Sequence, residues 1–541
     1  MHFAYNGRSS GWAYLAMFLV AWATLTLELL CTRIVSAMAF YHLAFFVLSL
    51  AILGMTAGAL LVYRYPRHFE PASALPRYAD WFAFSLPVAV GCLFAVPLRE
   101  ANTLTSVMAL ALTATIISVP FILSGILVSL TLTRCGLPYG RIYAADLLGA
   151  ALGSEAIIPA LAFLRPGAIV FVLSILAMVA GYAYRRLFGT AQFRPVLLWT
   201  VLMGALVYLE QATDHGLVLA FSKGQVLNQE EHQFMGWNSH SFVTVEAPKG
   251  REPRIWGASP RMPKIPTASI GMAIDGGAAT DMIQFDGDLT KVAWLNFDVT
   301  SLPYQLQTPR RAAIIGVGGG RDALTALLAG SEEVVGIDVN SLIIDLLRGK
   351  HVPGLRQFAG LADNPKVRLV HDDARSFLTT SPERYDVVQM SLIDTWAASA
   401  AGAYTLTENG LYTLEAWTTF IERLSDRGLF SVSRWYQADG IDETNRALAL
   451  AVAVCQRLGL TPPRDHIMLV ASGKIATLVV SKAPISDAMR ERLREVCDQR
   501  QFQLLLPVDP SSASNRSERV QLLERIAACT TESELEALCD E

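Results

Sequence analysis

Residues 312–340 read AAIIGVGGGRDALTALLAGSEEVVGIDVN. The run opens on an apolar strand, turns through Gly316, Gly318, Gly319 and Gly320, enters a helix, and returns through a second apolar strand to Asp338 and Asn340. That order of strand, glycine-rich turn, helix and strand is how a nucleoside cofactor is held. The glycines let the backbone turn sharply and approach a ligand, and a carboxylate about twenty residues on accepts hydrogen bonds from ribose hydroxyls.

The rest of the chain sets this motif in unusual company. Of 541 residues, 52% are hydrophobic and only 17% charged, and the charge is unevenly spread. Residues 1–214 contain twelve Arg, no Lys and eight Asp or Glu, whereas the remainder holds 32 basic and 40 acidic residues. The first part reads as a membrane domain and the second as soluble. No lysine- or arginine-rich run supplies the clustered positive charge that phosphate neutralisation needs, so nucleic acid is not an expected partner. Seven cysteines without CxxC or Cys/His spacing indicate neither a disulfide framework nor a metal site.

Apolar runs near 12–32, 42–63, 81–98, 104–132, 143–163, 167–184 and 195–211 each approach the ~20 residues that a membrane-crossing helix needs. The first is read as a span and not as a removed signal peptide, because no small-residue cleavage site follows it. Gly54 with Gly58, and Gly149 with Gly153, have the small-xxx-small spacing that lets helices approach closely. Glu28, Arg33, Asp146 and Glu155 lie in or at the ends of spans, where an ionisable group is expected to face a partner or a wet cavity, or to snorkel. Nine arginines in alternate loops, against three in the others, put the amino terminus inside. Seven spans would then put the soluble part outside, where an adenosyl cofactor is not expected. The expectation adopted is a cytoplasmic catalytic domain on the bacterial inner membrane, with a miscounted or re-entrant segment at 104–132, broken at Pro120.

Beyond residue 222 the pattern changes. SHSFVTVE at 239–246 and IGMAID at 270–275 read as strands of a small β unit. Strands at 312–316, 333–338, 367–371, 385–390 and 428–433 alternate with helices, the pattern of a parallel sheet covered on both faces. Strands at 466–471 and 475–481 read as a closing antiparallel hairpin. The expected fold is therefore a multi-span helical membrane domain over 1–214, a β-rich unit over 222–300, a Rossmann-like α/β domain over 301–484, and a helical segment over 485–541.

Four stretches carry a family resemblance. IDGG at 274–277, GVGGG at 316–320, DAR at 373–375 and LTENGLY at 406–412 make residues 270 to about 435 resemble the spermidine synthase family of aminopropyltransferases. These share the fold of class I S-adenosylmethionine-dependent methyltransferases. With seven spans ahead of it, the chain is similar to membrane-bound spermidine synthase-like proteins of bacteria. The resemblance implies S-adenosylmethionine or its decarboxylated form as cofactor. Gly316, Gly318, Gly320, Asp322, Asp338 and Asp373 would bind it, Asp338 at the ribose and Asp373 at the adenine.

The catalytic set it implies is Asp394, Ser391 and Tyr412. Soluble members carry two aspartates in a DSxDP-like segment after the fourth strand. Here Asp394 matches the second, Ser391 replaces the first, and Gly319 stands where the family's glycine loop has an aspartate. A serine neither anchors a cationic amine nor takes its proton well. Asp394 or an acid of the β unit, Asp275, Asp286 or Asp288, is the expected substitute, although FDGD at 285–288 reads better as a solvated turn. His240 and His371 are assigned ordinary structural hydrogen bonds.

Aminopropyl transfer to a small-molecule amine is thus the leading expectation. Methyl transfer to a lipid-soluble or membrane acceptor is the alternative, since the missing loop aspartate relieves repulsion against the carboxylate of intact S-adenosylmethionine. A reading of another class makes the soluble domain an inactive nucleoside sensor on a membrane transporter or scaffold, with Glu28 and Glu155 as its working residues. Membrane lipid is an expected partner, and a homo-oligomer stays open.

Overall fold

The computed structural model describes every residue except 1–6, 40–41, 99–102, 214–215, 249, 394–407, 439–442, 509–517 and 541. The chain divides into two compact units. Of the described residues, the first comprises those up to 244 with 274–278, and the second the remainder.

Seven helices dominate the first unit: α1 (Gly7–Met38), α2 (His42–Arg64), α3 (Pro71–Ala95), α4 (Leu104–Arg134), α5 (Tyr139–Phe163), α6 (Pro166–Leu187) and α7 (Phe193–Ala212). All seven are long and apolar enough to cross a membrane. The expected break at Pro120 is absent, and α4 runs through it as one helix of 31 residues. The proline removes one backbone donor, and the buried packing of Ile117, Phe121 and Ser124 around it continues the helix.

Glycines set the closest helix crossings. A Cβ on Gly58 would overlap the carbonyl oxygen of Ile122 on α4, and one on Gly149 would overlap that of Phe18 on α1. Both small-xxx-small pairs therefore lie at real interfaces. Hydroxyls also tie helices together: Thr26 Oγ1 on α1 donates to the Gly153 carbonyl on α5 at 2.9 Å, and Thr131 on α4 and Tyr184 on α6 share a hydrogen bond of 2.8 Å.

The ionisable residues of these helices divide sharply. Arg33 is completely buried and forms a two-pronged ion pair with Asp275, with Nη1 to Oδ2 at 2.9 Å. Its guanidinium also lies 5.5 Å from the centre of the Trp237 ring. Asp80 on α3 pairs with Arg185 on α6. Glu155 lies exposed on α5. The first unit also holds β1 (Phe221–Ser222), β2 (Gln225–Val226) and β3 (His232–Trp237), and begins β4 (Phe242–Glu246).

In the second unit, β5 (Ser269–Ile274) and β6 (Ala278–Ile283) lead through short helical turns and α8 (Leu302–Leu306) into an alternating series. It runs β7 (Arg311–Ile315), α9 (Arg321–Leu328), β8 (Glu333–Asp338), α10 (Ser341–Leu347), α11 (Pro353–Ala359), β9 (Val367–His371), α12 (Ala374–Thr380), β10 (Tyr385–Ser391), α13 (Leu414–Glu422), β11 (Leu424–Trp435) and α14 (Glu443–Arg457). The hairpin β12 (Ile467–Ser472) and β13 (Ile475–Ser481) follows, then α15 (Asp487–Arg500), β14 (Gln503–Leu506), α16 (Glu518–Ala528) and α17 (Glu532–Asp540).

Strands β7 to β14 make one eight-stranded sheet in the order β14-β12-β13-β11-β10-β7-β8-β9. The pairs from β11 to β9 are parallel, while β13 runs antiparallel between β11 and β12. This is a Rossmann-like sheet. Its strands are nearly continuous apolar runs because helices cover both faces, and Trp417, Phe420 and Phe430 pack fully buried on one of them.

Candidate functional site

Strand order reverses at β7, which has β8 on one side and β10 on the other. Ligands of open α/β sheets bind at such a switch point, beyond the carboxyl ends of the strands. The ladder fixes what reaches that edge. Ile315 pairs with Ile337 and with Met390, Asp338 with His371, and Ser391 with Ser433. Gly316, Asp338, Ser391 and the residues after each therefore emerge together.

The turn from β7 to α9 depends on its glycines. Gly316, Gly318 and Gly320 have φ of +71°, +50° and +90°, a region that costs a side-chain-bearing residue steric strain. The Gly316 amide donates to the Ile337 carbonyl at 2.9 Å, and the Gly318 amide to Asp338 Oδ2 at 3.2 Å. Asp338 Oδ1 accepts from the Asn340 amide at 2.9 Å. Asp338 thus holds the glycine loop from the neighbouring strand while standing at the ligand-binding edge. Burial pushes its carboxyl up to about 6, opposed by those two amides and by nearby His371. His371 itself has Nε2 3.2 Å from the Val339 carbonyl.

Gly319 has a different constraint. A Cβ there would overlap the backbone carbonyl of Asp281 on β6, and the Gly319 amide faces Thr280 Oγ1 at 3.4 Å. The space beside Gly319 is therefore closed by backbone to any side chain.

Asp322, in the first turn of α9, is buried. It lies 3.3 Å from Arg321 Nε. Arg321 Nη1 also reaches Asp298 Oδ2 at 3.4 Å. Burial raises the Asp322 carboxyl above the ordinary range, while Arg321 and Ser391 pull it down. Asp281 is committed to Arg251 and Arg254, at 2.7 and 3.0 Å.

At the end of β10, Leu392 has φ +50°. A left-handed leucine is a strained residue, and such strain gathers at functional sites. No sequence signal marks it. Ile393 follows, so close to Gly316 that a Cβ there would come within 2.6 Å of its Cγ2. Asp394 lies outside the described residues, as does Tyr404.

Asp373 caps α12, its Oδ1 accepting from the Ser376 amide at 2.8 Å, and it is exposed. The Tyr412 hydroxyl accepts from Arg434 Nη1 at 3.0 Å, with the guanidinium 4.6 Å from its ring. Because Ser433 pairs with Ser391, Arg434 brings Tyr412 to the same edge of the sheet.

The acids of the β unit are engaged elsewhere. Asp275 is fully buried, taken by Arg33 and by the Phe242 amide at 2.8 Å. That pairing overturns its expectation as an amine-activating acid. Asp286 and Asp288 form an exposed turn with Thr290 and Lys291.

The chain is similar to a polyamine aminopropyltransferase of Korarchaeum cryptofilum, 26% identical over 124 residues, which is 23% of this chain. The match spans 35% of that relative's length. Among solved structures it is similar to the spermidine synthase from Thermotoga maritima, with 15% identity and a TM-score of 0.32 over 58% of this chain and 90% of that one. A spermidine synthase in complex with the transition-state analogue AdoDATO has 15% identity and a TM-score of 0.32 over 59% and 91%. No family model matches the chain.

Proposed function

We propose that the chain is a membrane-anchored, spermidine synthase-like transferase that binds S-adenosylmethionine or its decarboxylated form in the second unit, with aminopropyl transfer to an amine as its reaction. One observation carries the reading: the glycine loop tied to Asp338 at the switch point of the sheet. Left-handed glycines bring backbone amides to a ligand, and Asp338 has the place and chemistry to accept ribose hydroxyls. The similarity to an aminopropyltransferase agrees with it.

The bound cofactor supplies a sulfonium whose neighbouring carbon accepts a nucleophile. The chain's own residues do the rest. Gly316, Gly318 and Gly320 would hold and orient the donor, Asp338 would fix its sugar, and Asp373 would accept from its base. Ser391 stands at the end of β10, where the acceptor would be aligned, and Asp394, three residues on in the chain, would hold the amine, with Tyr412 as the third member of the set. Alignment of nucleophile and carbon is the main source of rate in such a transfer.

Methyl transfer to a lipid-soluble acceptor is favoured by one feature, Gly319. Without a carboxylate there, nothing in the loop repels the carboxylate of intact S-adenosylmethionine. The seven helices would hold the protein in the bacterial inner membrane, with the sheet unit on the cytoplasmic side where the cofactor is available. Seven crossings then put the amino terminus outside, against the arginine bias.

The test supplies purified protein with decarboxylated S-adenosylmethionine labelled in its aminopropyl group and a panel of amines, and in parallel with methyl-labelled S-adenosylmethionine and membrane lipid extract. Label in an amine supports the leading reaction. Label in lipid alone replaces it with methyl transfer, and label in neither refutes both.

A further inference from the structure

We infer that the sheet unit holds a second ligand site, at the edge of the sheet opposite the glycine loop, for a small soluble molecule that carries a phosphate on an apolar body. The proposed transfer makes no use of it.

Topology fixes the place. Arg384 precedes β10, Arg423 caps the end of α13 just before β11, and Lys482 follows β13, whose Ser481 pairs with Leu429 of β11. All three stand at the amino ends of β10 and β11. Because β10 has seven residues, Ser391 at its other end lies about 20 Å away.

A cavity of about 410 Å³ opens there, within the range of small-ligand pockets, roughly 300–1,000 Å³. Arg384, Arg423 and Lys482 form its polar side, and Ile421, Leu458 and Leu460 its apolar side. Glu422 is the acid of the lining, so three positive charges face one negative.

The bonds these cations make leave them in excess. Arg384 Nη1 donates to the carbonyls of Glu422 and Leu424 at 2.7 and 3.1 Å, and Lys482 Nζ to the same two at 3.2 and 2.8 Å. Arg423 Nη2 donates to the Thr379 carbonyl at 2.7 Å. One cation at the closing carbonyls of a helix is an ordinary cap. Here two share one pair of carbonyls with a third beside them, and none forms an ion pair with a carboxylate among the described residues. Elsewhere in the unit Arg311, Arg368 and Arg434 reach Glu333, Glu383 and Glu443 at 2.6, 2.8 and 2.7 Å. Burial and then Arg384 hold the Lys482 ammonium below the ordinary lysine value, partly opposed by Asp426 and Glu422. A bound anion would relieve that crowding of like charge.

The remaining donors define the ligand. Arg384 keeps Nε and Nη2 uncommitted among the described residues, Arg423 keeps Nε and Nη1, and Lys482 keeps a third proton. Donors arriving from three segments suit a phosphate, whose oxygens point several ways, better than a planar carboxylate. The leucine and isoleucine wall takes the apolar body.

The test is isothermal titration of the full chain in detergent with phenyl phosphate, inorganic phosphate and phenol. Phenyl phosphate should bind saturably and about tenfold or more tighter than inorganic phosphate, and phenol should give no saturable heat. Arg384→Gln/Lys482→Gln should weaken phenyl phosphate about tenfold or more. Arg423→Gln, which gives up only the Thr379 bond, should weaken it as well, so a folding defect in the double variant leaves the test standing. No saturable binding of phenyl phosphate by the folded parent overturns the proposal. So does equal binding by the parent and both variants, which places the anion elsewhere. Inorganic phosphate as tight as phenyl phosphate overturns the apolar body, and tighter binding of dihexanoyl phosphatidate overturns the soluble class in favour of a lipid.

Discussion

Glycine and buried carboxylate do different work in the two units. In the helical unit, Gly58 and Gly149 have ordinary helical backbones and serve by lacking a side chain where helices cross. In the sheet unit, Gly316, Gly318 and Gly320 are needed for a backbone turn that side chains resist. The acids differ likewise. Asp275 is locked by a buried arginine, whereas Asp338 is raised toward neutrality at an open strand edge. A buried acid with a committed arginine is structural, and one held by amides with capacity to spare is available to a ligand.

Breaking the locked pair should have the largest effect on stability. Arg33→Ala leaves Asp275 buried and uncompensated, which costs about 3–5 kcal/mol. Thermal unfolding followed by intrinsic fluorescence should show a large fall in midpoint. An unchanged midpoint would mean that the pair is dispensable and the contrast false. Next in size is Gly58→Leu, which forces α2 away from α4 at a cost of about 1–3 kcal/mol. Chemical unfolding in detergent checks it.

The sheet unit should respond in binding more than in stability. Gly319→Asp puts a carboxylate into the glycine loop, but its Cβ meets the Asp281 carbonyl. Nucleoside affinity should fall, measured by titration with methylthioadenosine, and a gain would contradict the closed position. The Asp338 carboxyl, at about 6, must be ionised to accept ribose hydroxyls. Affinity should therefore weaken as pH falls through 6, by roughly tenfold per unit once protonation dominates. On folding the sign is opposite: stabilisation from the raised value is complete below the ordinary carboxylate range and is lost as pH rises through 6. Smallest of all, Asp286→Asn touches only an exposed turn and should alter neither midpoint nor affinity.

Much of this was legible because it is local. The strands at 333–338, 367–371 and 475–481 match the apolar runs residue for residue, and the closing hairpin follows from its own pattern. β11 extends to 424–435 beyond the expected 428–433 because Leu424 pairs with Tyr385 across a register shift, which no local signal marks. What stayed hidden depends on distant partners. Arg33 and Asp275 lie far apart in the chain, and neither predicts the other. Leu392 carries no hint of its left-handed backbone, since leucine is not a residue that adopts it readily. Proline disfavours helix interiors in general, which predicts a break at Pro120, and packing prevails over that tendency in α4.

The central claim is that the sheet unit holds an adenosyl cofactor through Asp338. Its most direct test is isothermal titration of the detergent-purified chain and its Asp338→Ala variant with S-adenosylmethionine and, separately, its decarboxylated form. The account predicts saturable binding of at least one form, weakened tenfold or more by the substitution. Heats at the dilution baseline for both forms with the folded parent would contradict it and leave a membrane scaffold as the better reading.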